Sequence, residues 1–281
     1  IAGAPETYPV PSAFIWRRDA EGEWLREASL VSESTASDSL FGSSVFISGD
    51  TSVVGSPAER AVYVFERDDS GEWTRQARIH APAGRVAQGF GWSVACSGET
   101  LVVGARSEVV NAVYNAGAVY VFRRGEEGEW KEEARLVAGD PSRLGDFGQS
   151  VAISDETIVV GADGGRNVWN RETGAAYVFT RDEYDNWSQQ AKLIPDDAQE
   201  FDAVGRSVAI DGETVVVGAA YAKIADEQRC GAAYVFVRDE EGEWSQRGKL
   251  AAPDPVSGGH FGEVVTVNGD CIVVGAPGAA G

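Results

Sequence analysis

Residues 147–162 read FGQSVAISDETIVVGA, and close variants recur at four other places in the chain. FGSSVFISGDTSVVGS occupies 41–56, FGWSVACSGETLVVGA 90–105, VGRSVAIDGETVVVGA 204–219 and FGEVVTVNGDCIVVGA 261–276. The steps are 49, 57, 57 and 57 residues, and self-similarity at such a period dictates the architecture before any local reading. Within the stretch, SVAIS (150–154) and TIVVG (157–161) are apolar and rich in β-branched residues, as strands are. The connections SGDT, SGET, SDET, DGET and NGDC have the two-residue centres of tight hairpin turns.

Working outward, AAYVFT (175–180) and SQQAKL (188–193) are a third and a fourth strand, joined by DEYDNW. The other copies have DDSGEW, GEEGEW and DEEGEW at that joint. No segment shows a sustained helical period. Each unit is therefore predicted to be a four-stranded antiparallel meander. Its second strand (SVV, LVV, IVV, VVV, IVV) is continuously apolar, which requires cover on both faces. A small sheet obtains that cover between two copies of itself, and radial repetition of such sheets is the all-β propeller. Phe fills the gap between sheets, and Gly permits close backbone approach.

The repeats run 41–89, 90–146, 147–203 and 204–260 within a single propeller domain, 1–281. A further blade is expected to be split between the ends, with 1–40 matching strands two, three and four and 261–281 matching strands one and two. One second strand is then spare, either Ile1 to Pro5 or Ile272 to Pro277. The preferred expectation is a five-bladed ring; the alternative is part of a seven-bladed propeller.

Phe-Gly at the start of the first strand and Gly-Ala-Pro after the second resemble the FG-GAP repeat, the blade of integrin α-chain propellers. Gly-Ala-Pro is literal at Gly3-Ala4-Pro5 and Gly275-Ala276-Pro277, and elsewhere reads GSP, GAR, GAD and GAA. The AAYVF and GEW elements resemble the bacterial and algal subclass. The resemblance implies an extracellular or cell-surface adhesion, protein-interaction or assembly module, secreted and part of a larger polypeptide or assembly. A glycan-binding propeller is the alternative. Integrin-type blades hold calcium in a DxDxDG loop between the first two strands. That connection is a tight turn here, so the calcium role passes to no residue, and no cofactor is expected. One acidic residue remains at a fixed phase: Asp50, Glu99, Glu156, Glu213 and Asp270. The five are read as turn formers, or as a ring of carboxylates at one mouth of the channel that holds a cation or a water cluster.

Composition narrows the partners. The 44 acidic against 24 basic residues give a net charge of −20, which argues against a nucleic acid and suits solubility or a salty habitat. No apolar run approaches the roughly 18 residues of a membrane span, so no membrane insertion is expected. Cys96, Cys230 and Cys271 form neither a disulfide framework nor a zinc pattern. The absence of methionine reads as a mature product or an excerpt of something longer.

Gly-x-Ser occurs at 42–44, 91–93, 148–150 and 205–207, the spacing of a nucleophile elbow. That motif needs a strand-to-helix turn, a histidine and an acid. Here the serine opens a strand and the histidines are His80 and His260 alone. The serines are read as structural and the chain as not an enzyme. Function is placed on the loops between second and third strands, which vary from SPAER to ADGGRNVWNRET over a constant framework. They share a face with fourth-to-first loops such as PDDAQEFDA. The ligand candidates are Asn111, Tyr114, Asn115, Asn167, Trp169, Asn170 and Tyr221. Exposed aromatics beside amides suit a protein or a glycan, unless the rings fold back over their own loops. Trp24, Trp73, Trp130, Trp187 and Trp244 share a repeat phase and are read as packing residues.

Overall fold

The structure, a computed structural model, describes residues 1–5, 12–32, 39–83, 87–164, 172–224 and 227–279. Among these there is no helix, and hence none long and apolar enough to cross a membrane. The first sheet holds β1 (Ala2–Ala4), β2 (Ser12–Arg18) and β3 (Trp24–Val31). The second holds β4 (Ser44–Ser48), β5 (Thr51–Ser56), β6 (Ala61–Arg67) and β7 (Trp73–His80). The third holds β8 (Phe90–Ser97), β9 (Thr100–Ala105), β10 (Ala118–Arg124) and β11 (Trp130–Leu136). The fourth holds β12 (Ser150–Ser154), β13 (Thr157–Ala162), β14 (Ala175–Arg181) and β15 (Trp187–Leu193). The fifth holds β16 (Val204–Asp211), β17 (Thr214–Ala219), β18 (Ala232–Arg238) and β19 (Trp244–Leu250). β20 (Val264–Asn268) and β21 (Cys271–Gly275) pair as the last.

Within each sheet every strand pairing is antiparallel between chain neighbours, the meander expected of each unit. The sheets are propeller blades stacked in chain order, first strand against first strand through β4, β8, β12, β16 and β20. β9 and β13 are buried along their whole length, as an apolar second strand demands. Phe147 is buried and meets Tyr177 and Phe179 edge-on, with ring centroids 5.4 and 5.9 Å away. Phe41 and Phe90 repeat the arrangement with Tyr63 and Tyr120.

From the second sheet onward, one kind of hydrogen bond recurs between each blade and the next. The Oγ atoms of Ser44, Ser93, Ser150 and Ser207 donate to the carbonyls of Gly91, Gly148, Gly205 and Gly262 at 3.0, 2.8, 2.9 and 2.9 Å. The Gly-x-Ser serine is therefore a strut between blades. In the last sheet Val264 takes its place and is exposed.

The outer strands carry a feature the sequence reading lacked. In five sheets the third-to-fourth pairing slips by one residue at the same phase, leaving Glu27, Gln76, Glu133, Gln190 and Arg247 as bulge residues. A bulge re-aims a side chain, and here it turns toward the next blade. Glu27, Glu133 and Gln190 accept the indole N–H of Trp73, Trp187 and Trp244 at 3.2, 2.7 and 3.1 Å. Trp73, Trp187 and Trp244 are thus half-buried and tethered. Trp130 is half-buried as well, but Gln76 at the matching bulge donates to Thr74 Oγ1 at 2.9 Å instead, and Trp24 is 67% exposed. Trp187→Ala should cost about 3 kcal/mol of stability, near the lower end for large buried aromatics. Trp24→Ala should stay within about 0.5 kcal/mol of the parent. Urea unfolding of the two variants checks the contrast.

The two chain ends do not share a sheet. β1, not β21, pairs with β2, so the blade expected from 261–281 together with 1–40 is not assembled among the described residues. The reason is local: Gly3 packs on Gly42 just as Gly55 packs on Gly91, so closely that a Cβ would overlap the facing carbonyl oxygen. β1 already fills the second-strand place. The outward faces of the end sheets consequently show Val264 and Val273 on one and Trp24 and Leu25 on the other.

Candidate functional site

The second-to-third and fourth-to-first loops emerge at one end of the blades. At the inner corner of that end, three positions recur in each repeat. The residue before the first strand's Phe or Val is left-handed throughout: Leu40, Gly89, Asp146, Ala203 and His260 have φ between 52° and 76°. Three residues later stand Ser43, Trp92, Gln149, Arg206 and Glu263. After the second strand's Gly-Ala stand Arg106, Asp163 and Ala220.

From the third sheet onward these side chains join across blades. The Arg106 guanidinium lies 3.3 Å from the Trp92 ring centroid and donates to Gln149 Oε1 at 2.7 Å. Arg206 pairs with Glu263 at 2.7 Å and with Asp163 at 3.4 Å. Gln149 and Asp163 are buried. Burial, and then the negative charge of Asp163, push the Asp146 carboxyl up to about 7, against the pull of Arg106 and Arg206. Burial works against the Arg206 charge, but Glu263 and Asp163 outweigh it and hold its pKa above the ordinary value. The result is a carboxyl that exchanges its proton near neutrality, set between two arginines from flanking blades. Such perturbed groups gather at functional sites. Sequence reasoning passed over this belt because its positions stood as the gaps in FG-x-S and GA-x. Their signal was a change from neutral to charged residues between the second repeat and the later ones.

The predicted loop candidates divide. Asn111 and Tyr114 are exposed, Tyr114 by 67%, and Asn115 is half-buried. Their loop is held firmly: Val110 and Val113 bond to each other. Leu144 N–H and Asp146 N–H, ahead of the next sheet, donate to the Tyr114 and Asn115 carbonyls at 3.0 Å each. Tyr221 is half-buried instead. It sits edge-on to His260 at 5.0 Å, with the Arg229 guanidinium 5.4 Å from its ring centroid, so this ring does fold back on its surroundings. Asn167, Trp169 and Asn170 lie outside the described residues.

At the opposite end stand the acidic residues of the first hairpins. Asp50, Glu99, Glu156 and Glu213 are exposed, each beside an arginine ending its own third strand. Arg67, Arg123 and Arg181 lie 3.8, 3.7 and 3.4 Å from the first three. Asp270 is exposed. Their carbonyls also close the hairpins, with Asp50 O accepting from Arg67 N and Glu156 O from Arg181 N. They act as turn residues that brace the third strand. Among the described residues no group of three or more His, Cys, Asp or Glu is placed to hold a metal ion. Cys96, Cys230 and Cys271 are free thiols.

Comparison with known proteins places this geometry. A family model for the FG-GAP repeat matches 24–71, 73–122, 130–179, 187–236 and 244–281. A search of curated proteins finds no significant match. Among solved structures, a protein from Lactobacillus plantarum superposes with a TM-score of 0.53 at 13% identity, over 87% of this chain and 66% of that one. A candidate 6-phosphogluconolactonase from Bacteroides uniformis superposes with a TM-score of 0.61 at 12% identity, over 97% of this chain and 73% of that one. The chain thus spans just under two thirds of the first and under three quarters of the second. Likeness at such identities is one of fold alone. It nevertheless overturns the expectation that the chain is not an enzyme: that inference rested on the absence of a serine-histidine site, and a neighbour of this architecture carries the name of a lactonase. The first four matched segments each run from the fourth strand of one sheet through the third strand of the next, and the fifth from β19 through β21. The bulge-to-tryptophan bonds join one segment to the next. This chain belongs to the FG-GAP repeat family.

Proposed function

We propose that the chain is an interaction and assembly module of an extracellular or cell-surface protein, and that it meets a protein partner through its loop end. The observation that supports this is Tyr114. A large aromatic, 67% exposed, stands on a loop whose backbone is bonded into the next sheet. Nothing in the fold requires that ring outside, and a rigid exposed aromatic is the kind of residue that anchors an interface. Asn111 and Asn115 flank it with adaptable hydrogen bonding.

Tyr114→Ala should weaken partner binding by about 1–4 kcal/mol and leave the melting temperature unchanged. Partner capture from the source's extracellular fraction, followed by titration of parent and variant, tests it. Equal affinity of the two would move the contact off this loop.

A further inference from the structure

The third strand of each complete blade presents a tyrosine beside a cation of the fourth strand: Tyr63 with Arg78, Tyr120 with Arg135, Tyr177 with Lys192 and Tyr234 with Lys249. In the first two blades the carboxylate between them comes from the blade's own second-to-third loop. Glu59 accepts from Tyr63 Oη and from Arg78 at 2.6 Å each. Glu108 accepts from Tyr120 Oη at 2.7 Å and from Arg135 at 2.6 Å. In the blade of Tyr177 the corresponding position of the sequence, three residues after Ala162, is Gly165; it lies outside the described residues, and glycine has no side chain to offer. The carboxylate comes from the preceding blade instead: Asp140 accepts from Tyr177 Oη at 3.0 Å and from Lys192 at 2.6 Å.

Beside Tyr177 and Lys192, the counterparts of the groups that Glu59 and Glu108 engage, lies a cavity of about 280 Å³. Ser142, Gly145, Glu172 and Thr173 complete its polar wall. We propose that this cavity binds one uncharged sugar residue, either a free monosaccharide or the terminal unit of a glycan.

Size comes first. The volume is at the small end of the roughly 300–1,000 Å³ typical of small-molecule sites, room for one ring. Chemistry comes next. A sugar hydroxyl both donates and accepts, and the wall offers both: the Glu172 carboxylate accepts, the Lys192 ammonium donates, and Ser142 and Thr173 carry hydroxyls. Two carboxylates, Glu172 and Asp140, stand against one ammonium, so an anionic sugar meets net negative charge. Burial tends to raise the Asp140 carboxyl, but the bonds from Lys192 and Tyr177 outweigh it and keep it below the usual range, hence ionised. The wall is also set in advance. Ser142 Oγ donates to Glu172 Oε2 at 2.7 Å. Phe201 N–H and Val204 N–H hold the Glu172 and Thr173 carbonyls at 3.1 and 2.9 Å. None of these residues carries the protein-contact reading of Tyr114, so the two proposals fail independently.

The test is saturation-transfer NMR on the full chain with neutral hexoses and N-acetylhexosamines, with sialic acid as the charged control, beside a glycan array. Neutral sugars should give signal and sialic acid none. Array binding without free-sugar binding assigns the ligand to a glycan terminus, and signal from both assigns it to the sugar ring itself. Glu172 is exposed, so Glu172→Gln should keep the parent's melting temperature while weakening binding by about ten-fold or more, the loss of a charged acceptor. Ser142→Ala should weaken it in the same direction. Silence from every neutral sugar on both assays, or undiminished binding by Glu172→Gln, overturns the proposal.

Discussion

Gly161→Ala is expected to destabilise the protein by about 3 kcal/mol or more, the upper range for overpacking, although one methyl group is all that is added. Gly161 is not among the residues of positive φ, so alanine suits its backbone. The obstacle is the neighbouring blade: a Cβ there would overlap the Gly205 carbonyl oxygen and Ser150 Oγ. That same carbonyl accepts the Ser150 hydroxyl at 2.9 Å, so the strut between the blades is lost along with the close packing. Gly212→Ala is the control. Its φ is +54° and nothing lies within 4 Å of the added carbon, so the cost is confined to left-handed strain of about 1–2 kcal/mol. Stacked repeats hold chiefly through nearest-neighbour interfaces. Urea unfolding of Gly161→Ala should therefore broaden as well as shift, the two sides of the β12–β15 and β16–β19 contact separating. Parent-like unfolding would show that the blades do not depend on their glycines.

What could be read in advance was whatever one repeat determines alone. TIVVGA is apolar at every position after Thr157, and two-sided burial followed from that. The Gly-Asp and Gly-Glu turns placed the hairpins, and the shared phase of the tryptophans placed the outer packing. What escaped depends on a second blade. Glu133 and Gln190 look like ordinary polar residues on an outer strand, and only the indole of the next blade gives the bulge its purpose. Arg106 could not be joined to Gln149 from the sequence, since 43 residues separate them and the bond crosses a blade boundary. The chain ends were misjudged for a related reason. Ile1–Pro5 and Ile272–Pro277 match the second strand equally in sequence, and only the fit of Gly3 against Gly42 gives the place beside β2 to the first. Among the candidate ligands, Tyr114 and Tyr221 are equivalent in composition. They differ because His260 and Arg229 are there to cover Tyr221.

Asp146→Asn is expected to make the protein more stable than its parent above pH 7, by roughly 2–4 kcal/mol once the carboxyl is fully ionised. Asp146 faces Asp163 from its own blade and Arg106 and Arg206 from the two flanking ones. Burial dominates, then the Asp163 charge, and together they lift its carboxyl from the ordinary 3.8 to about 7. The fold therefore prefers the protonated acid. Below pH 4 the group is protonated whether the chain is folded or not, and its favourable contribution is fully present. As pH rises the unfolded chain ionises first, and the contribution is lost progressively until the folded carboxyl follows near pH 7. Asparagine keeps the shape, carries no charge and removes that slope. Denaturation midpoints at pH 5 and pH 8 should thus diverge in the parent by more than in the variant. Any ligand that needs the Asp146 proton should bind the variant with a flattened pH profile. Parallel pH dependence of parent and variant would place the Asp146 carboxyl in contact with water and remove the inner corner from consideration as a site of proton exchange.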